Sequence, residues 1–283
     1  MSNPPDTRTG ASSATGDRRV EPDLARLIDQ HVRRIPPFRA LLRAVESALI
    51  QQHAPHVGPV LDLGCGDGSF AAVTLPAPIA HGLDPDAADL ERARQSGTYA
   101  RVHEAPAQRI PLPDETCGLV LANSVLEHIP DLDPALLEAR RVLRRQGWLV
   151  ITAPAHRFDA GLGVAVMLDD VGLTALGQRY RAWHNRRARH HHLLSADDWT
   201  TRLTAAGFEV VHHEYYFSRA AMFWFDLLHY ASLPSLLVRR TFGRWHLFGE
   251  PVLAKAWTRA LLPLARQPAA DDGACVFLLA QRR

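Results

Sequence analysis

A chain of 283 residues, 47% apolar and 22% charged with a formal net charge of +2, can bury one large core and is too near neutral to attract nucleic acid by bulk field. Its three cysteines, Cys65, Cys117 and Cys275, are scattered, which excludes a disulfide framework and a cysteine metal knot. Residues 1–20 are polar and lack the apolar core of a secretion signal, so they are expected to be disordered and the chain cytoplasmic.

Residues 22–34 and 38–52 are expected as two helices within an N-terminal cap, 21–57. Leu24, Leu27 and Ile28 share one face of the first. Leu41, Leu42, Val45, Leu49 and Ile50 share a face of the second, and Pro36-Pro37 breaks the chain between them. The stretch Val60-Leu61-Asp62-Leu63-Gly64-Cys65-Gly66-Asp67-Gly68 follows. Val60, Leu61 and Leu63 read as a short buried parallel strand, and the alternating glycines as a tight loop into a helix. Glycine lacks a Cβ, so a ligand can lie against bare backbone there. A dinucleotide fingerprint would need glycine at position 69, which is Ser69, and the Asp62 carboxylate opposes a pyrophosphate. A short helix from Phe70 ends before Pro76 and Pro78. The run 79–83 is the second strand and ends at Asp84, an acid about twenty residues past the glycines, as in a β-α-β unit that binds a sugar.

The loop, Asp62 and Asp84 together resemble motif I of the class I S-adenosylmethionine-dependent methyltransferases. That resemblance implies a doubly wound, mostly parallel seven-stranded α/β sheet, a Rossmann-like methyltransferase fold, with S-adenosyl-L-methionine as cofactor. It places the methionine part of the cofactor on Asp62, Gly64, Cys65, Gly66 and Gly68, and the ribose on Asp84. The segment Ala107-Gln108-Arg109-Ile110-Pro111-Leu112-Pro113-Asp114 resembles the family's stretch before the fourth strand, which assigns Ala107 and Gln108 to the adenine. Two positions depart from the pattern: Pro106 replaces a frequent acid, and Cys117-Gly118 replaces Phe-Asp.

Pro85 is expected to open a helix ending near Gln95, and 99–103 to be the third strand. Residues 119–123 form the fourth strand. The following Asn123-Ser124-Val125-Leu126-Glu127-His128-Ile129 resembles the family's post-strand motif, at the carboxyl end where ligands of parallel sheets sit. Asn123 is assigned to the cofactor. His128 is the candidate base for a hydroxyl or amine acceptor, with an imidazole suited to neutral pH; shaping the loop is the bland alternative. Asp133 is expected as N-cap and Pro134 as N1 of a helix through Arg145, stopped by Gly147, before a fifth strand over 148–152.

The core is expected to span 58–218, with a substrate-side insertion at 155–194. Consecutive histidines diverge on any regular backbone, so His190-His191-His192 with His184 are read as a substrate rim or a solvated group, and no metal site is expected. Arg186, Arg187 and Arg189 either meet an anionic substrate group or form a solvated face. Ser195 caps a helix to Ala206, closed by Gly207, and 208–217 is the sixth strand. Residues 219–267 are expected as a helical insertion, and the last strand, within 268–283, as antiparallel to the sixth.

The run Met222-Phe223-Trp224-Phe225, with Leu227, Leu228 and Tyr230 and with Arg239, Arg240 and Arg244 beyond, is either core, a dimer face or a peripheral membrane contact over 219–244. The expected activity is methyl transfer to an O, N or C nucleophile of a small-molecule or lipid- or glycan-linked acceptor. The alternatives are a nicotinamide-dependent oxidoreductase and a non-catalytic protein that binds S-adenosylmethionine.

Overall fold

The computed structural model describes residues 22–232, 251–268 and 273–283. The expectations for residues 1–20 and for Arg239, Arg240 and Arg244 fall outside them. Seven strands form one sheet in the order β3-β2-β1-β4-β5-β7-β6. They are β1 Val60–Leu63, β2 Ile79–Asp84, β3 Tyr99–Glu104, β4 Cys117–Asn123, β5 Leu143–Pro154, β6 Phe208–Tyr216 and β7 Cys275–Arg282. All neighbours pair in parallel except β7, which is antiparallel to both β5 and β6. The doubly wound topology is therefore the expected one. The chain runs outward from β1 to β3, then returns to β4 on the other side of β1. That reversal opens a crevice at the carboxyl ends of β1 and β4.

Helices α1 Leu24–Val32, α2 Pro37–His53, α3 Ala71–Thr74, α6 Gly163–Asp170, α7 Thr174–Ala188, α9 Arg219–Ala231 and α10 Pro251–Ala265 are joined by α4 Ala87–Ser96, α5 Leu132–Val142 and α8 Ala196–Ala205. Two buried clusters lie on opposite faces of the sheet. One gathers Leu61, Leu63, Val120, Leu136 and Trp199 under α5 and α8. The other gathers Leu27, Leu41, Leu119, Leu121, Phe277 and Met222 under α1, α2, α9 and α10. Strand alternation explains the division, since Leu119 and Leu121 point one way and Val120 and Ala122 the other.

Several element ends differ from expectation, among them β5, which starts at Leu143 rather than 148. Helix α4 starts at Ala87, because the Asp86 carboxylate accepts from the amides of Ala88 and Asp89 and so takes the N-cap; Pro85 lies before the cap. Helix α5 starts at Leu132 after Asp131, and it stops at Val142 because buried Leu143 already pairs with Cys117 in the sheet. Asp133 and Pro134 thus lie inside its first turn, and Gly147 lies inside β5. On α2, Leu42, Val45 and Leu49 are only partly buried, while Ala40, Leu41, Ala44, Ser47 and Ile50 form the covered face with Glu46 among them. The departure at Gly118 has a steric reason: a Cβ there would lie 2.7 Å from the Gly58 carbonyl oxygen. Ser195 caps α8 as expected, in a reciprocal pair with Asp198.

The apolar run of α9 is split. Met222 is buried and Phe225 packs edge-on against Phe38 and Phe217, whereas Trp224 is exposed. Buried Asp226 in the same helix accepts from the Val164 amide at 3.0 Å and the Tyr180 hydroxyl at 2.5 Å, tying α6, α7 and α9 together. Among the described residues, no helix is long and apolar enough to cross a membrane.

Candidate active site

The glycine loop is stitched to the end of β2. The amides of Gly64 and Cys65 both donate to the Leu83 carbonyl, at 2.7 and 3.0 Å. The Gly66 amide donates to Asp84 Oδ2 at 2.9 Å, and the Asp86 amide to Asp84 Oδ1 at 2.9 Å. Asp84 is thereby fixed beside the loop, with lone pairs remaining for further donors. Gly64 and Gly66 have φ of +74° and +53°, which glycine adopts without strain. They differ in surroundings: a Cβ at Gly64 would strike the Val125 side chain at 2.3 Å, whereas one at Gly66 would meet nothing within 4 Å.

Asp62 is buried and accepts a 2.6 Å hydrogen bond from the Tyr99 hydroxyl. Burial pushes its carboxyl up to about 6, against the pull of the Tyr99 bond. Burial likewise raises the Cys65 thiol, which leaves it a neutral wall. Asp62, Gly64, Cys65, Gly66 and Asn123 line one cavity of about 240 Å³, together with Arg39, Arg43, Phe70 and Ser124. Gly68, Asp84, Ala107 and Gln108 lie outside that lining. Gly68 packs beside Tyr99, Ala107 is buried, and Gln108 reaches the Asp131 carbonyl at 3.5 Å.

The side chains that organise this cavity come from α2 and were not singled out in the sequence. Glu46 is fully buried. Its carboxylate accepts from Arg43 Nη1 at 2.5 Å, Tyr216 at 3.0 Å, Ser124 Oγ at 3.0 Å and Asn123 Nδ2 at 3.2 Å. Arg43 also donates to Ser124 Oγ at 2.9 Å and lies over the Phe70 ring. This bonding turns the Asn123 carbonyl oxygen away from Glu46, and it is buried without a partner. A charged pair spaced i,i+3 within an amphipathic helix was the only trace in the sequence.

Arg39, Arg43 and Ser124 also line a second cavity of about 150 Å³. Phe38, Leu42, Phe158 and Phe225 give it apolar walls, and Glu127, His128 and His190 give it polar groups. Glu127 is buried; burial pushes it up to about 8, and one of its carboxyl oxygens has no partner. The other lies 3.7 Å from His128 Nε2. His128 donates from Nδ1 to the Arg189 carbonyl at 3.2 Å, which leaves Nε2 as the ring's acceptor. Its pKa is lowered, first by burial and then by the charge of Arg43, against that hydrogen bond. His190 stacks on His128 with ring centres 5.5 Å apart and is pushed down to about 4, chiefly by burial. The three consecutive histidines do diverge: the His192 ring turns to the carbonyls of Ile129 and Pro130. Arg186, Arg187 and Arg189 are exposed, and Arg187 lies over the Trp183 ring. A further apolar cavity of about 320 Å³, lined by Ile50, Val57, Leu75 and Ile79, sits at the opposite ends of the strands.

A family model described as a methyltransferase domain matches residues 29–213. The chain belongs to the S-adenosylmethionine-dependent methyltransferase family. It is 29% identical over 204 residues to a malonyl-[acyl-carrier protein] O-methyltransferase of Halorhodospira halophila, covering 68% of this chain and 62% of that one. It is 29% identical over 141 residues to a dimethylglycine N-methyltransferase of Parasynechococcus marenigrum, covering 46% of this chain and 50% of that one. The chain thus spans less than two thirds of the length of these relatives. Among solved structures, an S-adenosylmethionine-dependent methyltransferase of Thermotoga maritima matches with a TM-score of 0.54 and 18% identity, covering 87% of this chain and 91% of that one. A geranyl diphosphate methyltransferase in complex with GPP and sinefungin matches with a TM-score of 0.56 and 16% identity, covering 86% of this chain and 79% of that one. At those identities the structural matches speak for the methyltransferase fold alone.

The methyltransferase cofactor fits the residues present. The open space over Gly66 admits a ligand against backbone, and the unpartnered Asn123 oxygen and Asp62 offer acceptors for an ammonium group.

Proposed function

We propose that the chain binds S-adenosyl-L-methionine in the larger of the two adjoining cavities and transfers its methyl group to an acceptor held in the smaller one. One observation carries this reading: the two cavities share Arg39, Arg43 and Ser124, so a ligand on the glycine loop would adjoin one beside His128. Asp62 and the Asn123 oxygen hold the amino group of the cofactor, Gly64, Cys65, Gly66 and Gly68 its methionine backbone, and Asp84 its ribose. Ala107 and Gln108 border the adenine. When bound, the cofactor supplies an electrophilic sulfonium methyl; the protein supplies alignment and a proton acceptor.

His128 is that acceptor. It is neutral at pH 7, its tautomer is held by the Arg189 carbonyl, and Nε2 is free to take the proton of an acceptor hydroxyl or amine. Glu127 stays protonated at neutral pH beneath it and adds no negative charge that would hold the imidazole in its charged form. The aromatic walls favour an acceptor with an apolar body, such as a small organic molecule or a lipid-linked group. The relatives are named for O- and for N-methylation, so they leave the nucleophile open. The nicotinamide alternative gives way, because a buried carboxylate at the loop opposes a pyrophosphate.

The test is calorimetry with S-adenosylmethionine, S-adenosylhomocysteine and NAD, followed by labelled methyl transfer into extracts. Binding of the first two, with transfer that falls steeply in His128→Ala at unchanged cofactor affinity, is the expected result. Cofactor binding with no transfer to any acceptor would instead point to a non-catalytic binding protein.

A further inference from the structure

Away from both cavities, the last turn of α2 meets β6 at the edge of the sheet. His53 Nε2 lies 3.0 Å from Glu214 Oε1, and His212 Nε2 lies 3.1 Å from the same oxygen. The two imidazoles stack, with ring centres 4.4 Å apart and planes 19° from parallel. One donor atom from each residue falls within 4.8 Å of the others. The ring of Phe277 on β7 backs both histidines, and all three side chains are half-buried.

A β-bulge builds this cluster. Val210 pairs with Ala280 and His212 with the adjacent Leu279, so Val211 is an extra residue with no partner on β7. Before the bulge, Phe208 and Val210 pack into the layer under α5 and α8. Unbroken alternation would send positions 212, 214 and 216 to that same layer. Beyond the bulge the parity is reversed: Tyr215 packs there, and Tyr216 packs on the α2 side. His212 and Glu214 reach His53 for the same reason. Bulges commonly re-aim side chains at sites in this way.

We propose that His53, His212 and Glu214 bind one divalent transition-metal ion of the zinc class. Two imidazole nitrogens and one carboxylate oxygen form a borderline-soft set that suits zinc. A tetrahedral ion with bonds of about 2.0–2.1 Å would hold its donors about 3.3 Å apart. The carboxylate-to-imidazole distances of 3.0 and 3.1 Å are close to that, and the stacked rings must rotate for both nitrogen lone pairs to meet one ion. The partly exposed His212 and Glu214 side chains leave room for water as the fourth ligand. An ion here pins the C-terminal end of α2 to the sheet edge, and α2 is the helix that carries Arg43 and Glu46 to the cavities. The rival arrangement is purely hydrogen-bonded, with both imidazoles donating to one carboxylate oxygen.

The experiment titrates zinc into the chelator-washed full chain by calorimetry, with elemental analysis for stoichiometry and cobalt substitution for coordination. One equivalent should bind, and cobalt should give low-symmetry d–d bands with no thiolate charge-transfer band. Losing a ligand must cost at least what losing an outer-shell partner does, about 10–100-fold in affinity. His53→Asn and, separately, Glu214→Gln should therefore bind at least that much more weakly, and zinc should raise the melting temperature of wild type only. Circular dichroism and S-adenosylmethionine affinity report whether each variant is folded. If His53→Asn does not fold, Glu214→Gln and the cobalt spectrum decide. No stoichiometric ion in wild type, or equal affinity in the variants from adventitious histidines such as His190, overturns the proposal.

Discussion

Glu46→Ala tests the claim that one buried carboxylate holds the two cavities together. The substitution strands the Arg43 cation, whose side chain is 16% exposed, and removes the acceptor of Asn123, Ser124 and Tyr216. Breaking a buried pair from one side costs about 3–5 kcal/mol. Ser124 retains its contact with Arg43, so Asn123 and Tyr216 are the two neutral groups left unsatisfied, and the upper part of that range is expected. For a chain of this size, about 2–4 °C are lost per kcal/mol, so the melting temperature should fall by roughly 8–20 °C. Thermal unfolding of wild type, Glu46→Ala, Arg43→Met and the double variant forms the cycle. The double variant removes both charges and should lose clearly less than the sum of the singles. Glu46→Gln keeps one acceptor oxygen and should lie between wild type and Glu46→Ala. Strict additivity, or a loss below about 1 kcal/mol, the scale of an exposed pair, would refute the reasoning.

Gly66→Ala should fold at a cost of about 1–2 kcal/mol, the price of a left-handed residue, yet lose S-adenosylmethionine affinity in calorimetry. Gly64→Ala should be the less stable of the two by thermal melting, because its Cβ also meets Val125. Asp62 must be ionised to hold an ammonium group, so cofactor affinity should fall as pH drops through about 6, and Asp62→Asn should flatten that dependence. Glu127 keeps its proton in the folded state up to about 8 and loses it in the unfolded chain near the ordinary glutamate value. The folded state therefore binds more protons between those values, and stability falls as pH rises across that window. Glu127→Gln should remove this slope in denaturant titrations and gain more on wild type at pH 8 than at pH 5. The acid limb of transfer by His128 should lie below the ordinary histidine value, since its pKa is lowered; a limb above it would argue against His128 as the proton acceptor.

The parallel core was legible because its signals are local. Val60, Leu61 and Leu63 announce a buried strand, the glycines a turn, and Asp84 the end of the next strand, all within about one β-α-β unit. Strand pairing then follows from topology, and the antiparallel pairing of β7 with β6, which the family resemblance implied, is present. Helix ends were less legible where neighbouring residues compete for one role. Asp86 won the cap over Pro85 by two backbone hydrogen bonds, and the sheet claimed Leu143 before Gly147 could stop α5.

What was not legible depends on contacts between elements far apart in the chain. Tyr99 was read as the start of a strand, and only the β2–β3 pairing and the loop over Gly68 bring its hydroxyl to Asp62, 37 positions away. Tyr216 reaches Glu46 across 170 positions, and it does so because Val211 adds one residue to β6 and reverses which face the later side chains occupy. A period-2 pattern carries no mark of such an insertion: the run from Phe208 to Tyr216 mixes apolar and polar residues on both parities. One unpaired valine therefore decides that a tyrosine, a glutamate and a histidine face α2 rather than α8. The same parity sets the Tyr216 bond to Glu46 in the middle of α2 and the donor cluster at His53 at its end, so deleting Val211 should disturb both at once.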